Sequence, residues 1–181
     1  VTVSLIAALD TDHAIGLDRG GLPWHLPDEA AQFRAACAGQ WLLVGRRTYQ
    51  EMTGWFQPDH RVLVLTSQPL ASLPATTRPT PPTSAVASVA DAIKLARQTE
   101  APDLLVLGGA HTYAAALPFA DRLLLSRLHL HTGAPVHFPP VVWNQWRLVH
   151  SSPVSRDTTT GTDFHTEHWH RRQPTSSVLR T

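Results

Sequence analysis

At 181 residues, with 43% hydrophobic and 16% charged positions, the chain is long enough for one sizeable core and has no composition that marks a disordered or fibrous protein. Its net charge of +1 comes without a Lys/Arg block, which removes the electrostatic footprint of a nucleic-acid binder, and no apolar run approaches the ~20 residues of a membrane span. A single cysteine, Cys37, excludes an internal disulfide and suits a reducing cytoplasm.

Val3-Ser4-Leu5-Ile6-Ala7-Ala8-Leu9 is a nearly continuous apolar run, the pattern of a strand covered on both faces. It has no basic n-region or cleavage site, so it reads as a first strand rather than a signal peptide. Residues 10–21 combine Asp, Thr, His and three glycines with the apolar Ile15 and Leu17, as a mobile lid over an apolar ligand would. Leu22-Pro23-Trp24-His25-Leu26-Pro27-Asp28-Glu29 then forms a stiff approach to a helix over 28–38. Ala30, Phe33 and Cys37 share one face of that helix, and Phe33 lies one turn beyond Glu29. On helix chemistry alone, Asp28 and Glu29 merely complement the dipole of the first turn.

Trp41-Leu42-Leu43-Val44 reads as a strand that runs into Gly45-Arg46-Arg47-Thr48 and a short helix through Met52. A helix N-terminus bearing two arginines suits a phosphate, although a solvated arginine pair after a glycine turn has the same local pattern. Residues 54–60 read as a loop, 61–67 as a strand ending in hydroxyls, and 68–83 as an extended surface connection rich in Pro, Thr and Ser. Ser88-x-x-Asp91 has capping-box spacing ahead of a helix whose buried stripe is Val89, Ile93 and Ala96. Asp103 to Leu107 and then Gly108-Gly109-Ala110 repeat the strand, glycine and helix order, with the helix reaching Leu117. Neither corner is G-x-G-x-x-G, so the usual dinucleotide fingerprint is absent. A strand over 121–128 follows, then an antiparallel pair over 146–149 and 164–169 around the Asp157 to Gly161 turn.

Eleven histidines raise the question of a metal. His129-x-His131 and the set His165, His168, His170 can each put two imidazoles on one strand face, but neither has a matching third ligand, so no metal site is expected.

In their order along the chain these segments resemble dihydrofolate reductase, from Val3 to about Arg171. The resemblance rests on the first strand, Ile15-Gly16, Leu22-Pro23-Trp24-x-Leu26-Pro27, Phe33, Val44-Gly45-Arg46-x-Thr48, Thr66-Ser67, Leu107-Gly108-Gly109, Tyr113 and His137-Phe138-Pro139. It implies a single α/β domain over 1–171 with a peripheral tail over 172–181. It further implies a central eight-stranded, mostly parallel sheet with an antiparallel C-terminal strand and four main helices. It also implies NADPH as cofactor, dihydrofolate as substrate, antifolates as inhibitors, and a cytoplasmic monomer with no nucleic-acid or membrane partner.

Residue by residue, the resemblance puts Glu29 at the family's single active-site acid, with Leu22 and Trp24 beside the chemistry. Ile6, Ala7, Ala30, Phe33, Arg34, Met52, His60, Arg61, Leu107 and Ser126 are then expected around the substrate. The cofactor is expected against Ala8, Ile15 and Gly16, then Gly45, Arg46, Arg47 and Thr48, then Leu65, Thr66 and Ser67. Gly108, Gly109, Ala110, His111, Thr112 and Tyr113 would complete its site. A bidentate carboxylate would orient the pterin, and burial is expected to raise the Glu29 pKa more than the helix dipole lowers it.

The chain departs from the family in Pro58-Asp59-His60-Arg61, which displaces by one position the arginine expected to hold the substrate's glutamate. Ala134-Pro135-Val136 replaces a loop partner of the lid, and Ala30 is smaller than the usual leucine. These departures leave two rivals: an NADPH reductase of another pterin or pyrimidine, and a non-catalytic folate or antifolate binder. Reduced trimethoprim sensitivity is a further expectation, from the glutamate acid, Ala30 and the segment 40–46.

Overall fold

The apolar run at the amino end becomes the centre of a sheet. In the computed structural model, which describes residues 1–69, 71, 81–99, 101 and 103–173, this run is β1 (Thr2–Leu9), buried along almost its whole length. Then follow β2 (Ala14–Gly16), α1 (Pro27–Cys37), β3 (Trp41–Gly45), α2 (Arg46–Glu51), β4 (Arg61–Leu65), β5 (Thr83–Val86) and α3 (Val89–Gln98). The chain continues through β6 (Asp103–Gly108), α4 (Ala110–Ala116), β7 (Arg122–Leu128), β8 (Val136–His137), β9 (Trp146–Ser151), β10 (Ser155–Arg156) and β11 (Asp163–Arg171).

The main sheet has nine strands in the order β10-β11-β7-β1-β6-β3-β4-β5, with β9 paired to β11. β1 pairs in parallel with β6 and β7, and β3 pairs in parallel with β4 and β6. The carboxyl-terminal β11 runs antiparallel to β7, so the expected mixed α/β architecture with four α-helices is present, one strand wider than expected. The additional pairing comes from β10, a two-residue stub held against β11.

Alternation along the strands sends side chains to two cores. Val3, Leu5, Ala7 and Leu9 join Val89, Ala92, Ile93, Tyr113 and Ala116 from α3 and α4 on one face. Ile6, Val44, Leu105 and Leu107 join Cys37 of α1 and Phe56 on the other, with Phe33, Met52 and Trp55 packed at its border. Glu29 therefore lies on the α1 side of the sheet.

Local chemistry sets the helix starts. Pro27 opens α1, one residue before the expected start, because a proline needs no N–H partner there. Ser88 caps α3 as its spacing indicated: Oγ accepts the Asp91 N–H at 3.1 Å and donates to the Asp91 carboxylate at 2.7 Å. The strand expected over 61–67 ends at Leu65; Thr66 lies beyond it, its N–H bonded to the Val86 carbonyl at 3.0 Å. Most of the connection expected over 68–83, and the tail from 174 onward, lie outside the described residues. Arg172, where that tail begins, donates its N–H to the Gln145 carbonyl at 2.7 Å. No described helix is long and apolar enough to cross a membrane.

Candidate active site

Glu29 occupies the third position of α1, one turn before Phe33, and is 4% exposed. Its Oε1 is buried without a hydrogen-bond partner, and so is the Nε1 of Trp24. One acceptor and one donor thus lie unpaired in largely apolar surroundings, a condition native proteins tolerate mainly at sites that meet a ligand or ordered water. Burial pushes the Glu29 carboxyl above its ordinary range, the Ser126 hydroxyl opposes this, and the negative charge of Asp157 adds to it. Ser126 lies opposite Ala8 in the β1–β7 register, so both belong to the sheet region under Glu29.

Asp28 does more than complement a dipole. Its N–H donates to Asp157 Oδ2 at 2.9 Å, and its carboxylate accepts both the N–H and the hydroxyl of Thr158 at 2.7 Å. Sequence reading saw residues 157–161 only as a turn. The Asp-Thr-Thr-Thr-Gly composition was a signal for side-chain to backbone bonding, but not for its target.

The ends of β3 and β6 lie next to each other, with Val44 opposite Gly108. Each strand runs straight into a helix, so the two glycine corners are neighbours in space. A Cβ on Gly45 would meet Thr112 Oγ1 at 2.5 Å, and one on Gly108 would meet the Tyr113 ring at 2.6 Å. Gly108 also has φ near +100°, and its peptide to Gly109 is cis. Tyr113 is fixed by its hydroxyl, which donates to the Ile6 carbonyl at 2.7 Å. Thr48 Oγ1 lies against the bare face of Gly109. Arg46 bonds to the Gln68 side chain, and Arg47 Nη2 donates to the Asp18 carbonyl at 2.5 Å. Leu65, Thr66 and Ser67 follow from the neighbouring β4, and Ala110 and His111 open α4.

The lid is held at both ends. Asp10 is 2% exposed, and its Oδ1 accepts the N–H groups of Asp12 and Ala14 at 2.9 Å. β2 pairs with β8, which places Gly16 opposite Val136, and Ile15 packs on the α3–α4 core. At the far end, Gly21 donates its N–H to Glu51 Oε2 at 3.2 Å. Leu22 remains 59% exposed beside Trp24.

The residues expected around the substrate do not all come together. Ile6, Leu107, Phe33 and Met52 are part of the α1-side core or border it, whereas Ala7 points to the opposite core because it follows Ile6 on a strand. Ala30, Arg34 and His60 line a 590 Å3 groove with Pro27, Ala31, Ala35, Ala38, Gln57 and Asp59. Arg61 is not in that lining: its guanidinium lies over the Trp41 ring at 5.8 Å. His60 is 1% exposed, accepts the Gln57 N–H on Nδ1 at 3.0 Å and stacks on Trp55. Burial lowers its pKa, with the nearby Arg34 adding to the effect against the opposing pull of Asp59 and the Cys37 backbone. Trp55, which sequence reading passed over as loop, also carries Arg34 over its ring at 5.3 Å.

Of the histidines weighed as ligands, His129 Nε2 lies 3.0 Å from His165 Nδ1, and His131 pairs with Asp12 at 2.7 Å. Among the described residues no three His, Cys, Asp or Glu side chains converge to hold a metal.

This arrangement has known counterparts. The dihydrofolate reductase family model matches residues 2–171. The chain is 31% identical to dihydrofolate reductase of Bacillus subtilis (strain 168) over 162 residues, covering 90% of each protein. It is 33% identical to dihydrofolate reductase type 3 of Salmonella typhimurium over 155 residues, covering 86% of this chain and 89% of that protein. Among solved structures, dihydrofolate reductase from Enterococcus faecalis complexed with NADP(H) and RAB-propyl superimposes with a TM-score of 0.81 at 25% identity, covering 95% of this chain and 97% of that one. With a buried carboxylate on the first helix, paired glycine corners at the ends of β3 and β6, and a family match over nearly its whole length, the chain belongs to the dihydrofolate reductase family.

Proposed function

We propose that this chain reduces 7,8-dihydrofolate to 5,6,7,8-tetrahydrofolate with NADPH. The observation that carries the reading is Glu29, a buried carboxylate on α1 with an unpartnered Oε1. The two glycine corners fit the cofactor: side chains at Gly45 and Gly108 would collide with Thr112 and Tyr113, so the backbone stays bare for close approach. Arg46, Arg47 and Thr48, with Thr66 and Ser67, would hold its adenosine phosphates, and Gly108 to Tyr113 its pyrophosphate side. Ala8, Ile15 and Gly16 would border the nicotinamide. Two arginines favour the extra 2′-phosphate of NADPH.

When bound, NADPH supplies the hydride. Glu29 accepts the amino group and adjacent ring N–H of the pterin as a bidentate pair, which sets the ring's orientation. Its raised pKa lets it hold or relay the proton that the ring nitrogen takes up as the neighbouring imine carbon is reduced. Trp24 and Phe33 exclude bulk water from that transfer, and Leu22 closes the site from the lid. Arg34 is the cation of the groove and suits the carboxylates of the substrate's tail. Burial pushes the Cys37 thiol up to about 12, so it stays protonated within the α1-side core and takes no part in the chemistry.

Glu29→Gln tests the reading: NADPH binding is expected to survive while kcat near neutral pH falls by about 10²–10⁴. Wild-type turnover in that variant sinks it. A second reading, reduction of a pterin without a glutamyl tail, is favoured by the buried His60 and by Arg61 lying over Trp41 rather than in the groove. A large preference for dihydrofolate over the tailless dihydropterin removes it. Reduced trimethoprim sensitivity belongs to the same proposal because Ala30, smaller than the leucine the resemblance implies there, lines the groove; tight inhibition in a direct assay refutes that part.

A further inference from the structure

The helix that carries Glu29 has no cap of its own. Its N-cap residue is Leu26, which has no side-chain acceptor, and Pro27 follows. The first turn of any helix presents N–H groups that its own carbonyls cannot satisfy. Here the acceptor comes from elsewhere in the chain. Asp157, in the loop between β10 and β11, places Oδ2 2.9 Å from the Asp28 nitrogen, across 129 positions of sequence. The same loop returns the bond, because Thr158 donates its N–H and hydroxyl to the Asp28 carboxylate.

Asp157 is built to hold this position. It is 0% exposed, and its Oδ1 accepts the Thr159 and Thr160 N–H groups at 3.0 Å and the Thr160 hydroxyl at 3.2 Å. Its backbone closes the loop as well, with its N–H donated to the Thr162 carbonyl and its own carbonyl accepting the Gly161 N–H. Both carboxylate oxygens are thus engaged, one inside the loop and one on α1. A rigid loop of this kind transmits its placement to the next residue of the helix, which is Glu29.

We infer that Asp157 is a positioning residue for Glu29: it caps the first turn of α1 from outside and so sets where the proton-handling carboxylate sits. The inference rests on the functional reading given above. It has an electrostatic side too, since Asp157 contributes negative charge toward Glu29. The Ser126 hydroxyl from β7 also bonds Glu29, the Tyr113 phenol from α4 feels the Glu29 charge while its hydroxyl bonds the Ile6 carbonyl, and Asp28 is adjacent on α1. No cation forms an ion pair with Glu29 among the described residues.

The test is Asp157→Asn, which keeps the shape, removes the charge and cannot accept on both sides. Two readouts follow it against wild type: the pH dependence of kcat for NADPH and dihydrofolate, and the titration of the Glu29 carboxyl by carbon NMR, which needs no turnover. In the variant both midpoints are expected to move to lower pH by roughly half a unit, with kcat above the midpoint falling about threefold and NADPH affinity unchanged. A purely structural cap lowers melting temperature and leaves both midpoints in place, and that result overturns the inference. Should Asp157→Asn not fold, Thr158→Val removes only the hydroxyl bond to Asp28; an unmoved kcat and an unmoved Glu29 titration there overturn it as well. Wild-type protein that binds NADPH but does not reduce dihydrofolate refutes the functional reading instead, and the NMR titration then still decides the role of Asp157.

Discussion

Asp10 Oδ2 accepts both the N–H and the hydroxyl of Thr132, at 3.0 and 2.6 Å, and so ties the root of the lid to the loop before β8. Ala134-Pro135-Val136 replaces a loop partner of the lid that the resemblance implies, and this bond joins the two loops by another route. Burial pushes the Asp10 carboxyl up, but the Thr132 hydroxyl and the Ala14, Thr132 and Asp12 N–H groups together hold it below the usual range. A depressed carboxylate contributes stability above its unfolded pKa and loses it as pH falls through the folded one. Asp10→Asn is therefore expected to cost about 1–3 kcal/mol near neutral pH. The difference from wild type should shrink in acid below about pH 4, measured by urea unfolding at several pH values.

Glu29 has the opposite sign. Because its folded pKa is raised, the protonated form is favoured in the native state, so ionisation works against folding as pH rises past the unfolded value. Glu29→Gln is expected to be more stable than wild type at pH 8 and nearly equal to it at about pH 4, even as it loses activity. Equal stability at both pH values would place the carboxylate in a solvated setting and contradict its burial.

Gly108 leaves no room for a side chain. With φ near +100° and the Tyr113 ring 2.6 Å from the position of a Cβ, Gly108→Ala must displace Tyr113 and break its bond to Ile6. A loss of about 2–4 kcal/mol is expected from backbone strain, overpacking and the unpaired carbonyl together. NADPH affinity should fall in parallel. Tyr113→Phe separates the effects, since it removes the hydrogen bond and leaves the corner open; thermal unfolding and NADPH fluorescence quenching read both.

Glu51 joins the lid to the Gly45 corner, through Gly21 and through Arg47, which also reaches the Asp18 carbonyl. The Arg47–Glu51 pair is largely exposed, so its removal is expected to change global stability by no more than about 0.5 kcal/mol. The effect of Glu51→Ala should appear locally, as faster amide exchange at residues 17–22 than in wild type. Unchanged exchange there, with the lid still protected, counts against the latch.

Much of the fold was legible because it repeats. Continuous apolar runs marked β1, β3, β4 and β6, the Ser88 cap marked α3, and the two glycine corners marked where β3 and β6 pass into α2 and α4. Periodicity and caps act over a few residues, so one stretch of chain contains the whole signal. Glu29 was legible too, from its spacing to Phe33 and from the ordered set of motifs around it.

What the sequence determined by itself was the class of fold, the family and the acid, Glu29, that the proposed function rests on. Only the tertiary structure decided which neighbours that acid would answer to. Asp28 and Asp157 lie 129 positions apart, Asp10 and Thr132 lie 122 apart, and Arg61 turned to Trp41 while His60 went into the groove wall. Bonds of that kind leave no period in a sequence, because their partners are selected by loop closure and by the demand that every buried polar group be paired. The same Asp-Thr-Thr-Thr-Gly turn would read identically on any surface; packed here, it holds the first turn of the helix that carries Glu29.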